Sequence, residues 1–110
     1  MAALKASIWV AALVRRAQSA GAAAYVVRRG DPDAGIVIVK VARLDGTADI
    51  FLPSRDMEGE RAWRQAAGAA PEPDADALVQ RETGYDPDCW VVEIEDREGR
   101  HFLTEPVLEP

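Results

Sequence analysis

The run Asp86-Pro87-Asp88-Cys89-Trp90-Val91-Val92-Glu93-Ile94-Glu95-Asp96 puts five carboxylates, a thiol and an indole into eleven residues. Carboxylates this dense can hold a divalent cation or act as acid and base. Against a twelve-residue calcium loop, Asp86 and Asp88 take positions 1 and 3. Trp90 then stands at position 5, Val91 where glycine is required and Arg97 where the bidentate Glu belongs, so the match fails. A two-carboxylate magnesium site is a much less specific pattern. The plainer reading makes Asp86 a turn residue before Pro87 and Asp88 an acceptor of backbone N–H bonds at a strand entry.

Cys89 is the only thiol and His101 the only imidazole. A hairpin at Glu98-Gly99 pairs His101 with Glu95 or Asp96, not with Cys89. Six residues of strand separate thiol from imidazole by roughly 20 Å, so a Cys–His nucleophile is excluded. Cys89 is expected to pack as a small hydrophobe beside Trp90. A His101–carboxylate pair at an exposed hairpin reads as a surface ion pair. Arg29 and Asp31 flank a tight turn, where a guanidinium can hold either the neighbouring carboxylate or a ligand anion. No glycine-rich phosphate loop, nucleophile elbow, His-Glu-x-x-His or dinucleotide fingerprint occurs. No metal site and no cofactor is expected.

These residues need elements to position them. Ser7 can cap a helix that starts at Ile8 and carries a stripe of Ile8, Trp9, Ala12, Leu13 and Ala17, with Gly21 as its stop. Strands are expected at Ala23–Arg29, Gly35–Arg43 and Thr47–Leu52, with Asp45-Gly46 as a type I′ hairpin turn and Pro53 as a strand end. Residues 53–73 read as a long irregular connection with Trp63 as its anchor. Asp74 caps a second helix with Ala75, Leu78 and Val79 inward and Gly84 as its stop. Cys89–Asp96 is a strand with Trp90, Val92 and Ile94 on one face, Arg100–Thr104 a short last strand, and 105–110 a loose tail. The sum is one α+β domain over 1–110, an antiparallel β-meander of about five strands with two helices on one face, in the order α-β-β-β-α-β-β. Ile36 and Ile38 then lie on the uncovered sheet face and mark a partner surface.

The chain has 110 residues, 13 basic and 19 acidic, for a net charge of −6. Nucleic acid is a poor partner for that balance, because its binding rests on neutralising phosphates. One cysteine gives no intrachain disulfide. The Met1–Lys5 start has no signal-peptide layout, and the apolar run Ile8–Val14 is too short to cross a bilayer, so no membrane role and a cytoplasmic location are expected.

Ile8-Trp9-Val10 leading into Leu13-x-Arg15-Arg16, then Arg28-Arg29-Gly30-Asp31-x-x-x-Gly35, Leu44-Asp45-Gly46, Arg81-Glu82 and the Asp86–Asp96 run resemble a family of small bacterial proteins catalogued as a domain of unknown function. The resemblance covers nearly the whole chain. It implies a stand-alone bacterial cytoplasmic domain and supplies no catalytic residues.

The leading expectation is a non-catalytic binding or protein-interaction module that self-associates as a homodimer, or binds an unknown protein partner, through the sheet face at Ile36 and Ile38 or an edge strand. The alternative is a small enzyme or anionic-ligand-binding protein. Its cleft would lie between the 53–73 segment and the strand ends that bear Arg29, Asp86 and Asp88. The candidate ligand set is Arg29, Asp31, Trp63, Asp86, Asp88, Trp90 and Glu93.

Overall fold

The hydrophobic pattern of the strands explains their places in the sheet. Val37–Ala42 (β2) is buried along its whole length, and Trp90–Glu95 (β5) is buried on both faces at Trp90, Val91 and Val92. Strands apolar on both faces belong in the middle of a sheet covered on both sides. In the computed structural model, which describes residues 4–109, these two strands lie side by side and run parallel, Val37 opposite Trp90 through Ala42 opposite Glu95. The other strands are Ala23–Arg28 (β1), Thr47–Arg55 (β3), Arg61–Pro71 (β4) and Val107–Leu108 (β6). The sheet order is β1-β5-β2-β3-β4-β6, with β2–β5 and β4–β6 parallel and the other neighbours antiparallel. The α+β class stands, but the sheet is mixed rather than an antiparallel meander. β1 and β2 do not pair, because β5 lies between them.

The two helices, Ala6–Ser19 (α1) and Glu72–Tyr85 (α2), pack on opposite faces rather than on one. The alternation of β2 decides this. Val37, Val39 and Val41 meet Val10, Leu13 and Ala17 of α1, whereas Ile38 meets Ala75, Leu78 and Val79 of α2. Ile38 is therefore fully buried beneath α2 and no open face exists there, although Ile36 stays exposed just before the strand. α1 starts at Ala6, and no side chain caps it. Instead its first free N–H groups, on Ala6 and Ser7, donate to the carbonyls of Asp33 and Pro32 at 3.2 and 3.0 Å. Its buried stripe is Ala6, Val10, Leu13 and Ala17, which turns Ile8 outward.

The stretch 53–73 is not irregular. β3 continues through Pro53 to Arg55, a five-residue turn follows, and the 11-residue β4 returns alongside it from Arg61 to Pro71. Its Ala/Gly composition hid a strand whose pairing supplies the order that its side chains do not. The turn at 44–46 has positive φ at Leu44 and Gly46, not at Asp45. Asp45 instead accepts hydrogen bonds from the N–H and hydroxyl of Thr47. α2 begins at Glu72, two residues before Asp74, and runs past Gly84 to Tyr85. No strand forms at 100–104. The expected tail is tied down at Val107–Leu108, opposite Trp63 and Arg64, while Pro110 lies outside the described residues. Among the described residues no helix is long and apolar enough to cross a membrane.

Candidate functional site

The two charged motifs of the sequence meet, but they meet through their backbones. Asp31 N–H donates to the Asp88 carbonyl at 2.8 Å, Trp90 N–H to the Ile36 carbonyl at 2.8 Å, and the Trp90 indole N–H to the Asp31 carbonyl at 2.8 Å. Gly30 and Gly35 both press against the Asp88 carbonyl, leaving no room for a Cβ at either place. The side chains are engaged locally. Asp31 accepts the N–H groups of Asp33 and Ala34, which hold its carboxyl below the usual range. Asp86 accepts the Asp88 N–H at 3.0 Å, and Arg29 stacks over Trp90 at 5.5 Å. The Asp88 carboxylate is exposed and makes no hydrogen bond among the described residues. Arg29–Gly35 and Asp86–Trp90 thus form a clasp that joins α1, β2 and β5.

Glu93 belongs to a different group on the α2 side. Lys40, 6 % exposed, reaches Glu72 and Asp76 of α2 at 2.7 Å each and Glu93 at 3.4 Å. Burial alone would lower its pKa, but those carboxylates outweigh burial and raise it. Tyr25 donates its hydroxyl to Glu93 at 2.9 Å, and burial, then Glu93 itself, pushes the phenol up to about 12. The knot fastens α2 to the sheet and leaves its buried cation fully partnered.

An open cleft adjoins the clasp at residues 33–35, where β2 and β3 part. Their pairing ends at Val39 opposite Phe51, whereas β3 stays paired with β4 as far as Arg55 opposite Arg61. Pro53 has no N–H to offer a neighbouring strand. The gap holds about 230 Å³ and is closed by Leu4, Ala6 and Trp9 of the α1 end, residues 33–37, Pro53–Arg55, Arg61–Trp63 and Glu105. Trp9 and Trp63 pack with ring centroids 5.4 Å apart. Both indoles donate to Glu105, Trp9 at 3.3 Å and Trp63 at 3.0 Å, and Trp63 N–H is held by the Pro106 carbonyl at 2.8 Å. Burial pushes the Glu105 carboxyl up, but the two indoles and Arg16 nearby outweigh it and hold the group below the usual carboxylate range.

Of the expected ligand residues only Trp63 lines this cleft. Arg29 and Trp90 line a separate groove against α1 with Val10 and Val14. Asp31, Asp86, Asp88 and Glu93 line neither. Sequence reasoning passed over Trp9, Arg55, Arg61 and Glu105. A signal for the arginines existed, since Arg55 and Arg61 stand symmetrically about a turn-forming Asp56–Glu60 segment. Glu105 carried none.

The lone thiol and imidazole take no part in the cleft. Cys89 is fully buried against the α2-side cluster, with Trp90 on the other face, and burial pushes its thiol up. His101 pairs with neither Glu95 nor Asp96. It packs edge-on against Phe51 at 5.0 Å, and its Nδ1 accepts the Leu103 N–H at 2.9 Å. Asp96 is taken by Arg100 at 2.8 Å. The fully buried Asp49 accepts from Arg43 and from the Ala69 N–H at the irregular part of β4.

A family profile described as "Protein of unknown function (DUF1491)" matches residues 4–104. The fold is similar to that of a DUF1491 family protein from Caulobacter crescentus CB15. In the crystal structure of that protein the identity is 55 %, the TM-score 0.89, and coverage is 96 % of this chain and 100 % of that one. In the NMR structure of a DUF1491 family protein from the same organism the identity is 54 %, the TM-score 0.87, and coverage 99 % of this chain and 100 % of that one. A protein from A. tumefaciens solved in solution is 33 % identical with a TM-score of 0.79, covering 93 % of each chain. No curated protein matches. The profile spans almost every described element, and this chain belongs to the DUF1491 family.

Proposed function

We propose that the protein is a cytoplasmic, non-catalytic binding module whose ligand sits in the Trp9–Trp63 cleft. The observation that carries this reading is the state of Glu105. It is the cleft's half-buried carboxylate, and both of its oxygens already accept indole N–H groups, so it holds the walls and has no proton to move. Asp33 is exposed and drawn toward Lys5 at 3.6 Å. Ser54 has no imidazole or carboxylate bonded to it among the described residues, so it lacks the base that nucleophilic catalysis needs. What remains is a small, mainly apolar recess with aromatic walls and a few polar groups, the usual character of a binding site. A fragment screen followed by the indole N–H resonances tests it. Saturable hits that move Trp9 and Trp63 support the reading. Hits that cluster elsewhere, or none at all, would sink it.

Self-association has its own supporting observation. β1 is an edge strand, and Tyr25, Val26 and Val27 along it are 43 %, 37 % and 55 % exposed. An open apolar edge is a template for pairing with a second chain. Light-scattering mass over a concentration series tests this reading: a dimer that Val27→Glu converts to monomer supports it, and a monomer at every concentration ends it.

A further inference from the structure

The cleft carries a feature that its walls do not explain. Arg55 and Arg61 are directly opposed on the last rung of the β3–β4 ladder, and both line the recess. Directly opposed residues of an antiparallel pair share a face with Cβ atoms about 5 Å apart, and like charges there repel. Neither guanidinium joins an ion pair among the described residues. Arg55 makes one hydrogen bond, to the Gly59 carbonyl at 3.1 Å.

The chain is not short of counter-charges, for its acidic residues outnumber its basic ones by 19 to 13. Asp56 stands next to Arg55, yet its carboxylate turns into the loop and accepts the N–H groups of Glu58 and Glu60 at 2.9 Å each. Glu105, across the recess, is occupied by the two indoles. In an acidic protein, two cations opposed on one rung at the mouth of an aromatic cleft thus lack an internal carboxylate partner among the described residues.

We infer that the cleft selects small organic anions, with the apolar or planar body against Trp9, Trp63, Ile36 and Pro53 and a terminal carboxylate or phosphate at Arg55 and Arg61. The inference rests on the cleft being the binding site and adds the class of ligand. A guanidinium fork can bind two oxygens of either anion at once. The volume of about 230 Å³ is below the range usual for drug-sized ligands, which limits the body to a single ring or a short branched chain. An anion between the arginines would turn a repulsive pair into a bridged one.

The test uses the full chain and three probes: phenylacetate, phenyl phosphate and the neutral isostere phenylacetamide. Indole N–H shifts of Trp9 and Trp63 are the readout, and the Trp90 indole, bonded to the Asp31 carbonyl in the clasp, is the internal control. Phenylacetate or phenyl phosphate is expected to bind about tenfold or more tightly than the amide, the range for a hydrogen bond to a charged group. Arg61→Gln is expected to bring that ratio close to one while leaving amide binding as it was. Which anion binds more tightly tells whether the arginines take a carboxylate or a phosphate. Equal binding of anions and amide, or a ratio that survives in both Arg55→Gln and Arg61→Gln, overturns the inference and leaves the cleft reading in place. Silence of both cleft indoles toward all three probes overturns the inference, and the fragment screen then decides the cleft separately. Thermal unfolding of each variant confirms that it is folded.

Discussion

The clasp and the cleft differ in a way the sequence inverts. The clasp, Arg29–Gly35 with Asp86–Trp90, is the most charged and most motif-like part of the chain. The cleft shares residues 33–35 with the clasp but draws its two tryptophans, two arginines and Glu105 from distant positions. Yet the clasp is closed: its backbone groups bond one another, the carboxylates of Asp31 and Asp86 cap nearby N–H groups, and its glycines exist because the Asp88 carbonyl occupies the space of a Cβ. The cleft is open because the β2–β3 pairing stops at Val39 opposite Phe51 while β3 runs on beside β4. Dense polar sequence can mark where a chain grips itself, while a recess follows from topology.

Substitutions separate the two regions by the size of their effects. Gly30→Ala should be the most damaging, since the new methyl would meet the backbone of Asp88 and Cys89 and the Trp90 ring, none of which can rotate away. A loss of about 3 kcal/mol is expected, measured by urea unfolding. A neutral result would mean the clasp is not rigid. Lys40→Met, on the opposite face, should cost about 2 kcal/mol. It removes the shared partner of Glu72, Asp76 and Glu93, and the usual cost of breaking a buried pair is reduced because Glu72 and Asp76 are 39 % and 50 % exposed.

Within the clasp, Asp86→Ala should cost about 1 kcal/mol through the lost bond to Asp88 N–H, whereas Asp88→Asn should change stability by under about 0.5 kcal/mol, because the carbonyl of Asp88 and not its side chain holds the motif. The reverse ranking in denaturant titrations would show that Asp88 acts through its carboxylate. At the cleft, Arg61→Gln should move the thermal midpoint little and upward at low salt, since it relieves the opposed charge of Arg55. A clear drop would give Arg61 a structural duty.

The smallest effect is on pH. Burial holds the His101 pKa below its usual 6.5, with Asp49 pulling weakly the other way. A depressed folded pKa means that the unfolded chain binds the proton more readily. The His101 contribution is therefore full above pH 6.5 and is lost as pH falls through the folded value, where protonated Nδ1 can no longer accept the Leu103 N–H. His101→Asn should flatten urea midpoints measured from pH 7 to 5. An equal slope in the variant would assign the loss to other groups.

Much of the fold was legible because periodicity is a local property. The alternation of Trp90, Val92 and Ile94 against Val91 and Glu93 is borne out residue by residue, as is the inward stripe of Ala75, Leu78 and Val79. The expected start of α1 failed because its cap is supplied by the carbonyls of Pro32 and Asp33, which lie far along the chain. β4 was missed because Ala66–Ala70 carries almost no strand preference of its own and is ordered by β3. Of the expected ligand residues, Trp63 is the one that lines the cleft.

The sequence by itself determined the class, the two helices, the most apolar strands and the family, because each is written in the local order of side chains. Only the tertiary structure decided that β5 enters between β1 and β2, that the helices take opposite faces, and that Ile38 is covered. It also decided that Trp9, Arg55, Arg61, Trp63 and Glu105 share one recess. The reason is physical: pairing partners and the faces they cover are fixed by the competition of every strand for burial, a property of the whole sheet that no single segment contains.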